Sequence, residues 1–193
     1  MKIVLIDYGA GNVQSVKYAL NRLGIEPSLT KDHDEIKSAD KVIFPGVGSA
    51  KAAMEQLKAS GLDALIPTLT QPVLGICVGM QLMCKHSEEG DVKCLGIIDS
   101  EVKKFKPGLK IPHMGWNNIS NLKSPLFQGL PTEHQVYFVH SYYVPVNEYT
   151  IATTDYSNDF SAAIKKDNFY AVQFHAEKSG DIGEQILKKF LAL

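Results

Sequence analysis

Pro72-Val73-Leu74-Gly75-Ile76-Cys77-Val78-Gly79-Met80-Gln81 is the stretch that decides the fold. Val73–Ile76 reads as a buried strand and Met80–Lys85 as helix. Between them stands Gly-x-Cys-x-Gly, the cysteine form of the nucleophile elbow. A sharp strand-to-helix turn strains the central residue. Side chains two residues to either side would collide, so glycine is required there. The turn lifts the sulfur out of the sheet to a helix N-terminus, where the dipole and free N–H groups favour thiolate. It also frees the Val78 N–H as an oxyanion donor. The competing reading is a small buried hydrophobe with packing glycines, the usual fate of a lone cysteine.

Upstream of the elbow, strand and helix patterns alternate. Lys2–Asp7 is a short β-branched run suited to a buried parallel strand. Gly9-Ala10-Gly11-Asn12 follows as a turn, and Val13, Val16, Leu20 and Leu23 recur at helical spacing, with Asn12 as N-cap and Gly24 as the stop. The third glycine of a dinucleotide fingerprint is missing. Glu26–Leu29 reads as strand, Asp34–Ala39 as a short helix and Lys41–Phe44 as strand; a helix capped by Ser49 runs toward Gly61. This alternation predicts a three-layer, doubly wound, mostly parallel sheet of the flavodoxin-like kind. The second half adds short strands at Leu95–Ile98, Glu101–Phe105, Trp116–Ile119, Val136–Val139, Ile151–Thr154, Ala162–Lys165 and Phe169–Phe174. Lys166-Asp167-Asn168 reads as a hairpin turn, and an amphipathic helix closes the chain through Ile182, Ile186, Leu187, Phe190 and Leu191. No internal repeat or linker interrupts this pattern, so residues 1–193 are expected to form one domain.

Composition narrows the function classes. Lys and Arg number 20 against 21 Asp and Glu, and Arg22 is the only arginine. Arginine forks are the usual grip on phosphate and bases, so nucleic acid is not an expected partner. Three cysteines without C-x-x-C give neither a disulfide framework nor a zinc site, and no metal or other cofactor is expected. The opening segment lacks the basic flank of a signal peptide, and no run reaches the ~20 apolar residues of a membrane span. A reducing, cytoplasmic setting without membrane partners is therefore expected. Cys84 and Cys94 lack glycine flanks and are assigned to core or surface.

A thiolate nucleophile needs a partner that moves protons, and histidine titrates in the right range. His33 and His86 lie in charged stretches and read as solvated; His134 sits in a turn-like segment. Of the remaining His113, His140 and His175, the last follows the strand Tyr170-Ala171-Val172-Gln173-Phe174, and carboxyl ends of strands are where α/β sheets place chemistry. Glu177 stands two residues on, on the same side of an extended chain, where it can fix the tautomer and stabilise the imidazolium. Alone, His-x-Glu reads equally as a surface ion pair of small value.

Together, Gly75–Gln81 and Phe174-His175-Ala176-Glu177 resemble the triad (class I) glutamine amidotransferases. Phe44-Pro45-Gly46-Val47-Gly48-Ser49, Pro112-His113-Met114-Gly115-Trp116-Asn117, Val136–Tyr142 and Asp7–Asn12 resemble one branch, the glutaminase subunits of imidazole glycerol phosphate synthases. The resemblance implies hydrolysis of L-glutamine through a cysteinyl-glutamyl thioester, with Cys77 as nucleophile, His175 as acid and base, and Glu177 as orienter. It implies oxyanion donors at Val47, Gly48 and Val78, and glutamine contacts from Gly46, Gly48, Gln81, Ser141 and Tyr142. It implies a (β/α)8 cyclase partner, forming a heterodimer, that receives the ammonia for histidine biosynthesis. Asn12, Met114, Trp116, Tyr137 and Lys178 would face that partner. Core packing is the other reading for Trp116 and Tyr137. If the Val47 N–H points away at rest, the isolated chain should be nearly idle until the liganded partner docks. Ala176 stands where the family commonly has proline. Service to another synthase, a non-catalytic interaction module and a cysteine-elbow hydrolase are the alternatives.

Overall fold

The computed structural model describes residues 1–193 except Ala10, Gly11, Pro107, Leu109, Thr132 and Glu133. Gly11 of the expected turn thus lies outside the described residues, while Gly9 adopts φ +84°. Seven strands form the main sheet: β1 (Ile3–Ile6), β2 (Ser28–Thr30), β3 (Lys41–Gly46), β4 (Val73–Cys77), β11 (Thr150–Tyr156), β12 (Asn158–Lys166) and β13 (Phe169–Val172), in the order β11-β12-β13-β4-β3-β1-β2. From β2 to β13 every pairing is parallel; β12 and β11 continue the sheet antiparallel. Every residue of β1, β3 and β4 is buried, the signature of parallel strands covered on both faces.

The three longer helices sit where periodicity places them. Helix α1 (Val13–Arg22) buries Val16, Ala19 and Leu20 and ends before Gly24, which takes φ +77°. Asn12 holds the N-cap position, but its side chain makes no capping bond. The short helix expected over Asp34–Ala39 lies at His33–Lys37 and is α2. Helix α3 (Ala50–Ser60) is capped by Ser49 Oγ, which accepts the Ala52 N–H, and stops at left-handed Gly61. Short α4 (Leu62–Leu65) follows, and α5 (Val78–Met83) springs from Cys77. Helix α6 (Gly180–Leu191) packs Gly183, Ile186, Leu187 and Phe190 inward.

Two smaller sheets wall the site. One runs β10-β7-β5-β6, from Tyr142–Tyr143, Ile98–Lys104, Cys84–Ser87 and Val92–Lys93; the other pairs β8 (His113–Asn117) with β9 (Val136–His140). Here the local expectations shift. The helix expected over Met80–Lys85 begins at Val78 and stops at Met83, because Cys84–Ser87 pairs with β7. Leu95–Ile97 is loop, its Leu95 and Gly96 N–H groups returning to the Leu82 and Cys84 carbonyls. The Trp116–Ile119 strand lies earlier, at His113–Asn117, and ends where Asn117 Oδ1 takes the Asn118 N–H. The strand expected at Glu26–Leu29 is Ser28–Thr30. The hairpin at Asp167 holds, with φ +50° there.

Candidate active site

Cys77 ends the central strand β4 and begins α5 with φ 54° and ψ −110°, a conformation that costs a non-glycine residue about 1–3 kcal/mol. The flanking glycines explain how that conformation persists. A Cβ on Gly79 would stand 2.1 Å from the Phe44 carbonyl oxygen, and one on Gly75 would stand 3.0 Å from the Gly79 carbonyl carbon. The collision expected between the two flanks is thus real on one side. On the other, the obstacle is the neighbouring strand β3, against which α5 lies directly.

The parallel sheet brings the rest of the triad alongside. Val172 of β13 is registered opposite Ile76 of β4, so the residues following each strand emerge side by side. His175 enters there, its N–H donating to the Tyr137 carbonyl at 2.9 Å. His175 Nδ1 and Glu177 Oε1 lie 2.7 Å apart, with both side chains almost fully buried. A carboxylate only accepts, so Nδ1 carries the proton and Nε2 is left for the sulfur. Burial alone would lower the imidazole pKa. Hydrogen bonds to Cys77 and Glu177, and their charges, override burial and push it up to about 10. Glu177 Oε2 is buried without a hydrogen-bond partner among the described residues.

Val47, Gly48, Cys77, Val78, Gln81, Ser141, Tyr142 and His175, all named from the sequence, line one cavity of about 210 Å³. Drug-sized sites run roughly 300–1,000 Å³, so this volume suits an amino acid. Gly46 departs from expectation: it lies with Asn12 and Glu177 in a narrow cleft on the other side of His175. A Cβ there would stand 2.6 Å from the Gly79 N atom, so its glycine serves the seating of α5 on β3. Tyr8 Oη donates to the Pro45 carbonyl at 3.0 Å and braces the segment leading into Val47–Gly48.

Glu89 and Val139, which face the cavity beside His140, escape a reading of the sequence, and so does Gln173, whose Nε2 lies 3.8 Å from the Cys77 sulfur. Gln173 is wholly buried. Its one sequence signal is an amide inside the apolar run Ala171-Val172-Gln173-Phe174. His113 and His140 are also buried, with His113 Nδ1 3.0 Å from His140 Nε2 and His140 Nδ1 2.8 Å from the Tyr142 carbonyl. Burial lowers His113 to about 4 and His140 to about 3. His33 and His86, expected to be solvated, are half-buried; His33 Nε2 lies 2.9 Å from the Ser60 carbonyl, and His86 pairs with Asp91 at 2.8 Å. Cys84 and Cys94 are core residues, and burial raises both thiols.

Of the residues expected to face a partner, Asn12 lines the narrow cleft beside Glu177, and Met114, Trp116, Tyr137 and Lys178 lie on β8, β9 and the segment after His175. Met114 and Trp116 project from β8, 61% and 54% exposed, which excludes core packing for Trp116. Half-buried Tyr137 meets the Trp116 ring edge-on at 5.9 Å, and exposed Lys178 precedes Ser179, whose Oγ accepts the Tyr137 N–H. Among the described residues, no group of three or more His, Cys, Asp or Glu could hold a metal ion, and no helix is long and apolar enough to cross a membrane.

Cys77, His175 and Glu177 stand together at the carboxyl edge of a doubly wound sheet, the arrangement that thiol hydrolases use. The chain belongs to the class-I glutamine amidotransferase family, whose model matches residues 4–193. It is 62% identical over 196 residues to the imidazole glycerol phosphate synthase subunit HisH of Bacteroides fragilis (strain YCH46), and 50% identical over 196 residues to that of Escherichia coli (strain K12). Both alignments cover all of both chains. A crystal structure of a glutamine amidotransferase shares the fold, with TM-score 0.78 and 17% identity. That match covers 100% of this chain and 98% of the other.

Proposed function

We infer that this chain is the glutaminase subunit of an imidazole glycerol phosphate synthase, releasing ammonia from L-glutamine for histidine biosynthesis. The observation that carries the chemistry is one small cavity holding the Cys77 sulfur and the His175 imidazole, with Glu177 directly behind. The observation that carries the customer is full-length identity to HisH subunits. In this reading residues 1–193 act as one amidotransferase domain in the cytoplasm.

Cys77 Sγ attacks the carboxamide carbon, and the carbonyl π pair moves to oxygen. The Val78 N–H, at the start of α5, and N–H groups of Val47 and Gly48 receive that oxyanion. His175, carrying the thiol proton, donates it to the leaving nitrogen as the C–N bond breaks, giving ammonia and a thioester. Water then attacks the thioester with His175 as base, and glutamate leaves as the C–S bond breaks. Gln81, Ser141 and Tyr142 hold the amino and carboxylate ends of glutamine. Ammonia in water at neutral pH is mostly ammonium, which is no nucleophile, so release into a sealed interface has a chemical purpose. Asn12, Met114, Trp116, Tyr137 and Lys178 dock a (β/α)8 cyclase subunit to form that seal.

The test is glutamate and ammonia release from glutamine by the native chain and by Cys77→Ala, each mixed with the cyclase partner. Turnover by the native complex that vanishes in the variant is expected; equal rates overturn the reading. Turnover that is the same with and without the partner would refute control through the Val47 segment.

A further inference from the structure

The Cys77 sulfur has two polar neighbours besides His175, and they pull in opposite directions. The thiol faces the Val139 carbonyl at 3.9 Å, an acceptor that favours the protonated form. Gln173 Nε2 lies 3.8 Å from the sulfur on the buried side, a donor that favours the anion. Which end of the Gln173 amide faces the sulfur is decided by a chain of forced choices. The Tyr142 carbonyl can only accept, so Gln81 turns its Nε2 toward it, at 2.9 Å. The other Gln81 Nε2 proton goes to Gln173 Oε1 at 3.0 Å. With its oxygen committed, Gln173 has only its N–H₂ to offer the sulfur. His140 Nδ1 adds a second donor to the same Tyr142 carbonyl, which locks the first step.

The same chain sets the face that Gln81 shows to the cavity. Both of its Nε2 protons are spent on Tyr142 and Gln173, so its oxygen remains as an acceptor suited to an ammonium group.

We propose that Gln173 is a two-ended positioning residue: its N–H donates to the Cys77 sulfur, and its oxygen holds Gln81 with the amide oxygen turned toward the amino group of bound glutamine. This deepens the glutaminase reading and rests on it. Two substitutions separate the ends. Gln173→Glu keeps an acceptor for Gln81 and, when ionised, removes the donor to sulfur; Gln173→Leu removes both. The other titratable groups around the sulfur, Tyr8, Glu89, His140, His175 and Glu177, are left unchanged in each variant.

The first measurement is the pH profile of Cys77 alkylation by iodoacetamide in the full chain, followed by mass spectrometry. Both variants should move the midpoint to higher pH, the glutamate variant further because it places a carboxyl beside the sulfur. The second is glutamine kinetics in the complex with the cyclase partner. KM should rise about tenfold in Gln173→Leu and stay within about twofold in Gln173→Glu, while kcat falls in both. Unmoved alkylation midpoints, or equal KM values for the two variants, overturn the proposal. Should neither variant fold, the side-chain amide resonances of Gln173 in the unsubstituted chain decide. They should move on titration and vanish from their position when Cys77 is alkylated; indifference to the sulfur overturns the proposal. Alkylation needs no turnover, so a native complex that releases no ammonia would sink the glutaminase reading while leaving the Gln173–sulfur contact independently judged.

Discussion

His175 and His140 both stand at the glutamine-sized cavity and both are buried, yet their proton affinities move in opposite directions. His175 rises to about 10; His140 falls to about 3. Burial pulls both down, since a charged imidazole loses its hydration in each. The difference is the company. His175 has Glu177 on one nitrogen and the sulfur on the other. His140 has the Tyr142 carbonyl on one side and neutral His113 on the other, inside the rings of Phe105, Phe138 and Phe160. The Cys77 sulfur and the Glu177 carboxylate together thus separate an imidazole that holds its proton from one that stays neutral.

The sharpest way to break the comparison is to remove what His175 serves. Cys77→Ala should lower kcat for glutamine in the complex by about 10⁴-fold or more, measured by coupled glutamate assay, because triad members act as a unit. Next comes the carboxylate itself. Glu177→Gln should lower kcat about 10³-fold, and the imidazole should titrate at lower pH, as NMR of the ring protons would show. An unchanged titration would mean that the sulfur alone supports His175.

A smaller effect is expected away from both histidines. Trp116→Ala should weaken cyclase binding about tenfold to a hundredfold by calorimetry, and leave the Cys77 alkylation rate of the free chain unchanged, as for an exposed aromatic anchor. The smallest is His140→Gln, which should raise KM for glutamine a few-fold. Its clearer readout is acid stability. His140 has a depressed folded pKa, so its unfolded form binds a proton first as pH falls below about 6.5. Stability is then lost at about 1.4 kcal/mol per pH unit, or about 2 kcal/mol by pH 5. The variant should lose that much less in urea unfolding between pH 6.5 and 5. His175 has the opposite sign: its contribution is complete below about pH 6.5 and is lost as pH rises through about 10.

Local chemistry is legible in the sequence, and long-range pairing is not. The elbow at Gly75–Gly79, the Ser49 cap, the Gly61 stop and the turn at Asp167 each depend on a few neighbouring residues, and each stands where the pattern puts it. The elbow's actual obstacle, the Phe44 carbonyl, comes from 35 positions earlier and leaves no local trace. Gly46 departs from its expected role for the same reason, since its tight neighbour is Gly79. The His113–His140 pair and the Gln81–Gln173 contact join residues 27 and 92 positions apart, and only the sheet order brings them together. Cys84 and Lys85 read as helix because a four-residue strand carries too little periodicity to be told from the end of α5.

The β8–β9 ribbon has two readerships. Trp116 and Met114 look outward from one strand, while their cross-strand partners Tyr137 and Val139 lead directly to His140 and the cavity wall. With a rise of about 3.3 Å per residue, exposed Trp116 sits only some 10 Å along the ribbon from the cavity wall at Val139 and His140. The same two strands thus meet solvent through Trp116 and the Cys77 thiol through the Val139 carbonyl.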